Sequence, residues 1–246
     1  MENNRILDIK NLQKSFGDLK VIDGIDMSLY TGENLVVLGK SGSGKSVIMK
    51  CIVRLMEPDD GSINVFGTDL LHCSEKELNA IRTRIGYLFQ EGAMYDSMTV
   101  RENLLFPVKR DAKMRKLGTK ELIEIAEKNL ESVGLEEAIN KYPSELSGGM
   151  KKRAGLARTL MLSPDMIIYD EPTTGLDPYT SEAISDLILK VREIYDTSAV
   201  IITHDIKCAK KTGDRLVILN EGKIIAEGTY NELKANPSKE VSIFFN

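Results

Sequence analysis

Three short stretches carry residues whose types and spacing could do chemistry. The first, Gly39-Lys40-Ser41-Gly42-Ser43-Gly44-Lys45-Ser46, has the form G-x-x-x-x-G-K-[ST]. Glycines there let backbone N–H groups converge on an anion, and a helix N-terminus behind them adds a positive dipole. In that arrangement Lys45 reaches the β- and γ-phosphates of a nucleotide, and the Ser46 hydroxyl ligates Mg2+. The second is Asp170-Glu171, directly after the apolar run Met166 to Tyr169. A carboxylate at a strand end can hold Mg2+ through water. A second carboxylate one residue on can polarise an attacking water beyond the γ-phosphate. Alone, such a pair also reads as the cap of the next helix; beside the glycine loop it reads as chemistry. The third stretch is Leu146-Ser147-Gly148-Gly149-Met150. It opens a helix, where free N–H groups and the helix dipole suit an anion.

These stretches need elements to position them. Short apolar strands alternate with helical patterns, the signature of an α/β fold with a mostly parallel central sheet. Asn34 to Leu38 reads as a buried strand running into the glycine loop, and a helix follows from about Lys45. Ile85 to Phe89, Met166 to Tyr169 and Ala199 to Ile202 read as further strands, and Leu216 to Leu219 with Lys223 to Ala226 as a hairpin. Ile6 to Ile9, Val21 to Leu29 and Ser62 to Phe66 suggest a small N-terminal antiparallel β lobe with a turn at Gly17-Asp18. From Glu91 to about Ser163 the pattern is helical. Glu121 to Val133 carries Leu122, Ile125, Ala126, Leu130 and Val133 at helical spacing, and Gly134 fits the position past its end. The chain is expected to be one domain, 1–246, with a helical subdomain at about 91–163.

The segment around Leu146 to Met150 resembles the signature of the ATP-binding cassette (ABC) ATPases, which separates them from other P-loop NTPases. The resemblance covers nearly the whole chain, with motifs in the expected order. It implies that Phe16 stacks on adenine and that Gln90 is the Q-loop glutamine serving catalysis and the metal. It implies that Thr174-Gly175-Leu176-Asp177 is the D-loop, Asp177 included in the nucleotide site, and that His204, following Val200 to Thr203, is the switch histidine. Taken singly, Phe16 could be a core aromatic and His204 structural; their joint order carries the reading. Ser147, Gly148 and Gly149 are implied to close over ATP held by a second copy, in a head-to-tail homodimer beneath a membrane permease. ATP and Mg2+ are the implied cofactors.

Within that family, Phe89-Gln90-Glu91-Gly92-Ala93-Met94-Tyr95, Met150 after the signature glycines, Lys141-Tyr142-Pro143-Ser144-Glu145 before it and Ala235-Asn236-Pro237 are similar to the Mla/MCE phospholipid-transport ATPases. That similarity implies an MCE-domain lipid-binding partner. The D-loop keeps the common ABC form, and the sequence ends at Asn246 without the long C-terminal extension of some Mla ATPases, which leaves a dimer clasp of that kind open. An importer ATPase for amino acids or other small solutes shares all the catalytic motifs and is the alternative. A non-transport ABC ATPase of DNA repair or translation is more distant, since a single cassette without a long coiled coil is present. The apolar residues Ala93, Met94, Tyr95, Met98, Val100, Leu104, Leu105 and Phe106 read either as helical-lobe core or as a groove for a permease helix.

Composition narrows the class. Of the 246 residues 42% are hydrophobic, enough for one sizeable core, and the net charge of -4 disfavours a nucleic-acid partner. No signal-like apolar segment opens the sequence and no run approaches the roughly 20 apolar residues of a membrane span. The expected location is cytoplasmic, peripheral at the cell membrane through the permease. Cys51, Cys73 and Cys208 lack metal-site spacing and read as reduced thiols.

Overall fold

The computed structural model describes residues 4–90, 92–109, 111 and 114–245; Glu91, within the stretch after Gln90, lies outside the described residues. The chain opens with β1 (Arg5–Phe16) and β2 (Leu19–Tyr30), paired antiparallel across the Gly17-Asp18 turn from Arg5 opposite Tyr30 to Phe16 opposite Leu19. β1 is longer than the Ile6–Ile9 strand expected from alternation. Its register shifts between Ile9 and Leu12, with Asn11 at φ 46°, so a bulge breaks the period-two pattern while pairing continues. β3 (Asn34–Gly39) crosses into a second sheet and α1 (Lys45–Ile52) follows it. β4 (Asp60–Val65) and β5 (Thr68–Asp69) return to the first sheet, whose order is β2-β1-β4-β5.

Next come α2 (Glu75–Arg84), β6 (Ile85–Leu88), α3 (Val100–Val108), α4 (Thr119–Ser132), α5 (Gly148–Leu160) and β7 (Met166–Asp170). α2 escaped the apolar periodicity, yet its start is written in Ser74-x-x-Glu77, a capping box in which both reciprocal bonds form. α4 ends as its sequence implies. Gly134, at φ 66°, donates to Glu131 O at 3.0 Å and Leu135 donates to Leu130 O at 2.9 Å, the paired bonds of a Schellman stop. The chain finishes with α6 (Pro178–Tyr195), β8 (Ser198–Thr203), α7 (Ile206–Thr212), β9 (Arg215–Asn220), β10 (Lys223–Gly228), α8 (Tyr230–Lys234) and α9 (Lys239–Ser242).

The second sheet runs β10-β9-β3-β8-β7-β6, parallel throughout except for the β9–β10 hairpin. Successive side chains of a strand face opposite sides. Accordingly Leu35, Val37, Ile168, Val200 and Ile202 pack with the β lobe, α1 and α2. Val36, Leu38, Ile167, Tyr169 and Ile201 pack with α3 to α6. Burial on both faces is why these strands read as continuous apolar runs. β8 lies between β3 and β7, so the carboxyl ends of the three strands, with their loops, meet at one edge.

Candidate functional site

The glycine loop leaves β3 at Gly39 and enters α1 through Gly44, which caps the helix with φ 104° and no side-chain bond. A Cβ on Gly44 would lie 2.6 Å from Ile22 Cδ1 and 2.8 Å from Val21 O. Glycine is therefore required there both for its backbone angle and for the close approach of β2. The Ser43 hydroxyl is buried without a partner among the described residues. Lys45 is buried, 7% exposed. Its ammonium donates to Gly39 O at 2.6 Å and Lys40 O at 2.9 Å, and sits 3.6 Å from Glu171 Oε1. An uncapped helix start, an orphaned hydroxyl and a buried ammonium around a loop too tight for side chains make a cradle suited to phosphate.

Glu171 follows β7 with φ 49°, a left-handed conformation that costs a non-glycine residue roughly 1–2 kcal/mol. Its N–H donates to Ile202 O at 2.9 Å, tying it to β8. Its Oε2 accepts from Thr174 Oγ1 at 3.0 Å and lies 2.8 Å from His204 Nδ1. An ionised carboxylate only accepts, so the His204 ring donates through Nδ1–H. Asp170, the last residue of β7, accepts from the Tyr87 hydroxyl at 3.1 Å. Burial raises its carboxyl above the ordinary range, and the Tyr87 bond partly offsets this. Phe16, Ser41, Gly42, Gly44, Lys45, Ser46, Gln90, Glu171 and His204 line one cavity of about 470 Å3. Phe16 is 48% exposed, so its ring belongs to that cavity's rim and not to the core of the β lobe. Gly39 and Lys40 join the cradle through the Lys45 bonds, Ser43 through its orphaned hydroxyl, and Asp170 by adjacency to Glu171.

Ser147, Gly148, Gly149 and Asp177 are not among the residues lining that cavity. Ser147 caps α5 through its hydroxyl, which accepts from Met150 N at 3.3 Å. Gly149 packs against the start of α6, where a Cβ on it would be 2.5 Å from Thr180 Cγ2, and Gly148 faces Leu176 just before that helix. Asp177 is the N-cap of α6, its carboxylate accepting from Tyr179 N and Thr180 N at 3.0 Å each, bonds that with the Thr180 hydroxyl hold its pKa below the usual range. A larger cavity, about 1100 Å3, lies along Thr173 to Leu176, α6 and α7, and shares Thr174 and His204 with the first.

Sequence reasoning missed several groups that hold this geometry. From α5, Lys152 donates to the carbonyls of Glu171, Pro172 and Thr174, and Arg158 to those of Gly92 and Ala93. Asn103, wholly buried, accepts from Tyr95 N at 2.7 Å and donates to the carbonyls of Tyr95, Met98 and Thr99. It thereby shapes the apolar stretch, which divides. Val100 and Leu104 are core, whereas Tyr95 (46%) is exposed with its ring tilted against Phe106; ahead of the stretch Phe89 (41%) is exposed in the same way against Tyr87.

A parallel sheet with a phosphate cradle after one strand and an acidic pair after another defines a P-loop nucleotide hydrolase. Residues 22–174 match the family model described as ABC transporter. The chain is 38% identical over 98% of its length to the probable ribonucleotide transport ATP-binding protein mkl of Mycobacterium leprae, spanning 68% of that protein. It is 35% identical over 96% of its length to the L-cystine import ATP-binding protein TcyN of Bacillus subtilis, spanning 90% of it. Among solved structures, cbiO1 of Clostridium perfringens, part of the ABC transporter complex cbiONQ, superposes with TM-score 0.86 at 27% identity, covering 98% of this chain and 94% of that one. The ATP-binding cassette MJ0796, a dimer bound to ADP and Pi, superposes with TM-score 0.81 at 30% identity, covering 91% and 98%. The chain belongs to the ABC transporter family, as an ATP-binding, ATP-hydrolysing cassette. Among the described residues no helix is long and apolar enough to cross a membrane.

Proposed function

We propose that the chain, as one nucleotide-binding domain over 1–246 with a helical part at about 91–163, works in a pair that closes on two shared ATP molecules and drives a membrane permease. One observation carries this reading. The Lys45–Glu171–His204 group lines one cavity, while Ser147 to Gly149, themselves suited to an anion, lie outside it against α6. A nucleotide that meets both is shared between two copies, and the similarity to MJ0796, a cassette solved as a dimer bound to ADP and Pi, supports such pairing.

In this reading Phe16 stacks on adenine, and residues 39 to 46 wrap the phosphates. Lys45 turns from its own loop carbonyls to the β- and γ-phosphates. Among the described residues no group of three or more His, Cys, Asp or Glu could hold a metal. Magnesium commonly completes its octahedron with nucleotide phosphates and water around one or two carboxylates, and the oxygen donors of Ser46, Asp170 and Gln90 suit it. When bound, Mg2+ neutralises charge developing on the phosphates. Glu171 takes the proton of the attacking water; His204 holds that carboxylate by its Nδ1–H and senses the γ-phosphate; Asp177 fixes the start of α6 beneath the partner's nucleotide. Binding ATP favours the closed pair, and hydrolysis releases it.

The exposed Phe89 and Tyr95, on either side of Gln90, supply the apolar seat for a permease helix, and in this reading the chain works at the cytoplasmic face of the membrane. For cargo we propose phospholipid, delivered with an MCE-domain partner, on the strength of Gly92-Ala93-Met94-Tyr95, Met150 and Pro143-Ser144-Glu145. The 35% identity to an L-cystine import ATPase supports small-solute import as the second reading. None of the site residues is built to touch cargo, so the permease and its partner decide between them. Purification of the tagged chain from native membranes tests this. Recovery of a multi-spanning permease with an MCE-domain protein and bound phospholipid is expected. Recovery of a permease with a soluble amino-acid-binding protein refutes the lipid assignment.

A further inference from the structure

Two residues beside the nucleotide cavity hold a backbone conformation that side-chain-bearing residues avoid. Glu171 has φ 49° and Ala93 has φ 45°. Each has its carbonyl oxygen gripped by a cation from the same helix. Lys152 Nζ donates to Glu171 O at 3.1 Å, and to Pro172 O and Thr174 O at 2.8 Å each. Arg158 Nη1 donates to Ala93 O at 2.7 Å and Nη2 to Gly92 O at 3.2 Å. Between them on α5, Gly155 admits the loop directly: a Cβ there would be 2.9 Å from Gly92 O. Thr174, one of the residues held by Lys152, orients the Glu171 carboxylate through its hydroxyl.

Strained backbone persists only where its surroundings over-determine it. At Glu171 the determinants are the Ile202 carbonyl on one side and the Lys152 ammonium on the other. At Ala93 the guanidinium of Arg158 does the same work. Charge-assisted bonds are about twice as strong as neutral ones; Lys152 is buried, which makes its carbonyl partners necessary, and Arg158 is half-buried. Burial lowers the pKa of Lys152, and the neighbouring Glu171 charge opposes that shift.

We propose that Lys152 and Arg158 are positioning residues for ATP hydrolysis. From one helix they hold Glu171 and Ala93 in the left-handed conformation, so that a displacement of α5 at its Ser147 end resets the catalytic carboxylate and the segment after Gln90 together. The proposal rests on the reading of Glu171 as the base.

The test uses the full chain, with MgATP affinity and steady-state hydrolysis measured separately. Lys152→Met is expected to lower kcat roughly 10- to 100-fold, the effect of moving a catalytic group by about 1 Å, with MgATP affinity changed by less than about twofold. Arg158→Met is expected to lower kcat about tenfold, and adding Ala93→Gly is expected to bring it back to within about threefold of wild type, because glycine adopts the left-handed conformation without a holder. Lost packing around Arg158 would not be repaired by removing a methyl group at residue 93. Failure of Ala93→Gly to rescue, or a Lys152→Met chain that folds and hydrolyses within about threefold of wild type, overturns the proposal. If Lys152→Met does not fold by circular dichroism, the Arg158→Met and Ala93→Gly pair decides alone. Glu171→Gln, run alongside, separates the two layers: normal hydrolysis by that variant overturns the assignment of the base.

Discussion

Replacing Glu171 by glutamine should have two effects of opposite sign. The Glu171 side chain is 13% exposed and lies 3.6 Å from the ammonium of Lys45, whose side chain is 8% exposed. Glutamine keeps the shape and can still accept from Thr174 Oγ1, but it carries no charge and cannot act as a base. Without nucleotide, Lys45 is attracted to Glu171, and arriving phosphates must compete for it. At 3.6 Å the raw attraction is about 5 kcal/mol for an effective dielectric of about 20. Desolvation offsets most of that, leaving roughly 1 kcal/mol net. The variant should therefore bind MgATP roughly fivefold more tightly, since 1.4 kcal/mol is a factor of about ten. Loss of a general base costs about 10²- to 10⁴-fold in rate, so hydrolysis should fall by that amount, about 3–5 kcal/mol on the barrier. Calorimetric titration with MgATP, a phosphate-release assay and size exclusion with and without ATP read the three consequences: tighter binding, near-absent turnover and an ATP-dependent dimer. A variant that hydrolyses at the wild-type rate, or that stays monomeric in saturating ATP, refutes the reasoning.

Four further outcomes are expected. Lys45→Ala removes the charge set on the phosphates and should weaken MgATP binding by about 100-fold or more in titration, on the order of one or two charge-assisted bonds; retained tight binding would count against the cradle. Ser147→Arg should leave ATP binding to the single chain intact while blocking hydrolysis, because a bulky cation intrudes on the shared site; wild-type turnover would refute the shared site. Cys51 is wholly buried and burial pushes its thiol up to about 11, so at pH 8 its thiolate fraction is about one in a thousand. Native-state labelling followed by peptide mass analysis should find Cys73 modified well before Cys51 or Cys208; rapid labelling of Cys51 would mean that α1 is not packed as described. Finally, Glu77, Glu102, Glu232 and Asp177 have pKa values lowered by their cap hydrogen bonds. Such groups stabilise the fold above the ordinary carboxylate range and lose that contribution as pH falls through their lowered values. Asp170, raised by burial, works in the opposite sense. Asp23, Asp59 and Asp69 are lowered as well, by their Lys20, Lys14 and His72 partners, so the lowered carboxylates outnumber Asp170, and Tm should hold steady down to about pH 5 and fall below about pH 4; a Tm that rises on acidification there would contradict these assignments.

The sequence by itself determined what is local. Residues 39 to 46 form a contiguous phosphate-binding motif, and short apolar runs such as Ile167 to Tyr169 and Ala199 to Ile202, alternating with helical patterns, read as strands of a largely parallel sheet. The class of fold and the identity of the reacting groups follow from such stretches, because contiguous residues share one element and one direction. Capping boxes at Ser74, Thr99 and Thr229 are also local, each written within four residues, although apolar periodicity alone passes over them.

What the tertiary structure alone decided is which distant groups meet. The order β3-β8-β7 brings Lys45, Glu171 and His204 into contact, and no spacing in the chain encodes it. The apolar stretch after Gln90 splits into core Val100 and Leu104 and exposed Tyr95 only because Asn103 folds the intervening loop onto itself. Asp177 is turned into its own helix as a cap. Lys152 and Arg158 both lie on α5 and both donate to backbone carbonyls of distant loops. Carbonyl oxygens are the same in every residue, so a cation that binds them leaves no complementary letter elsewhere in the sequence, and only the folded chain reveals the partner.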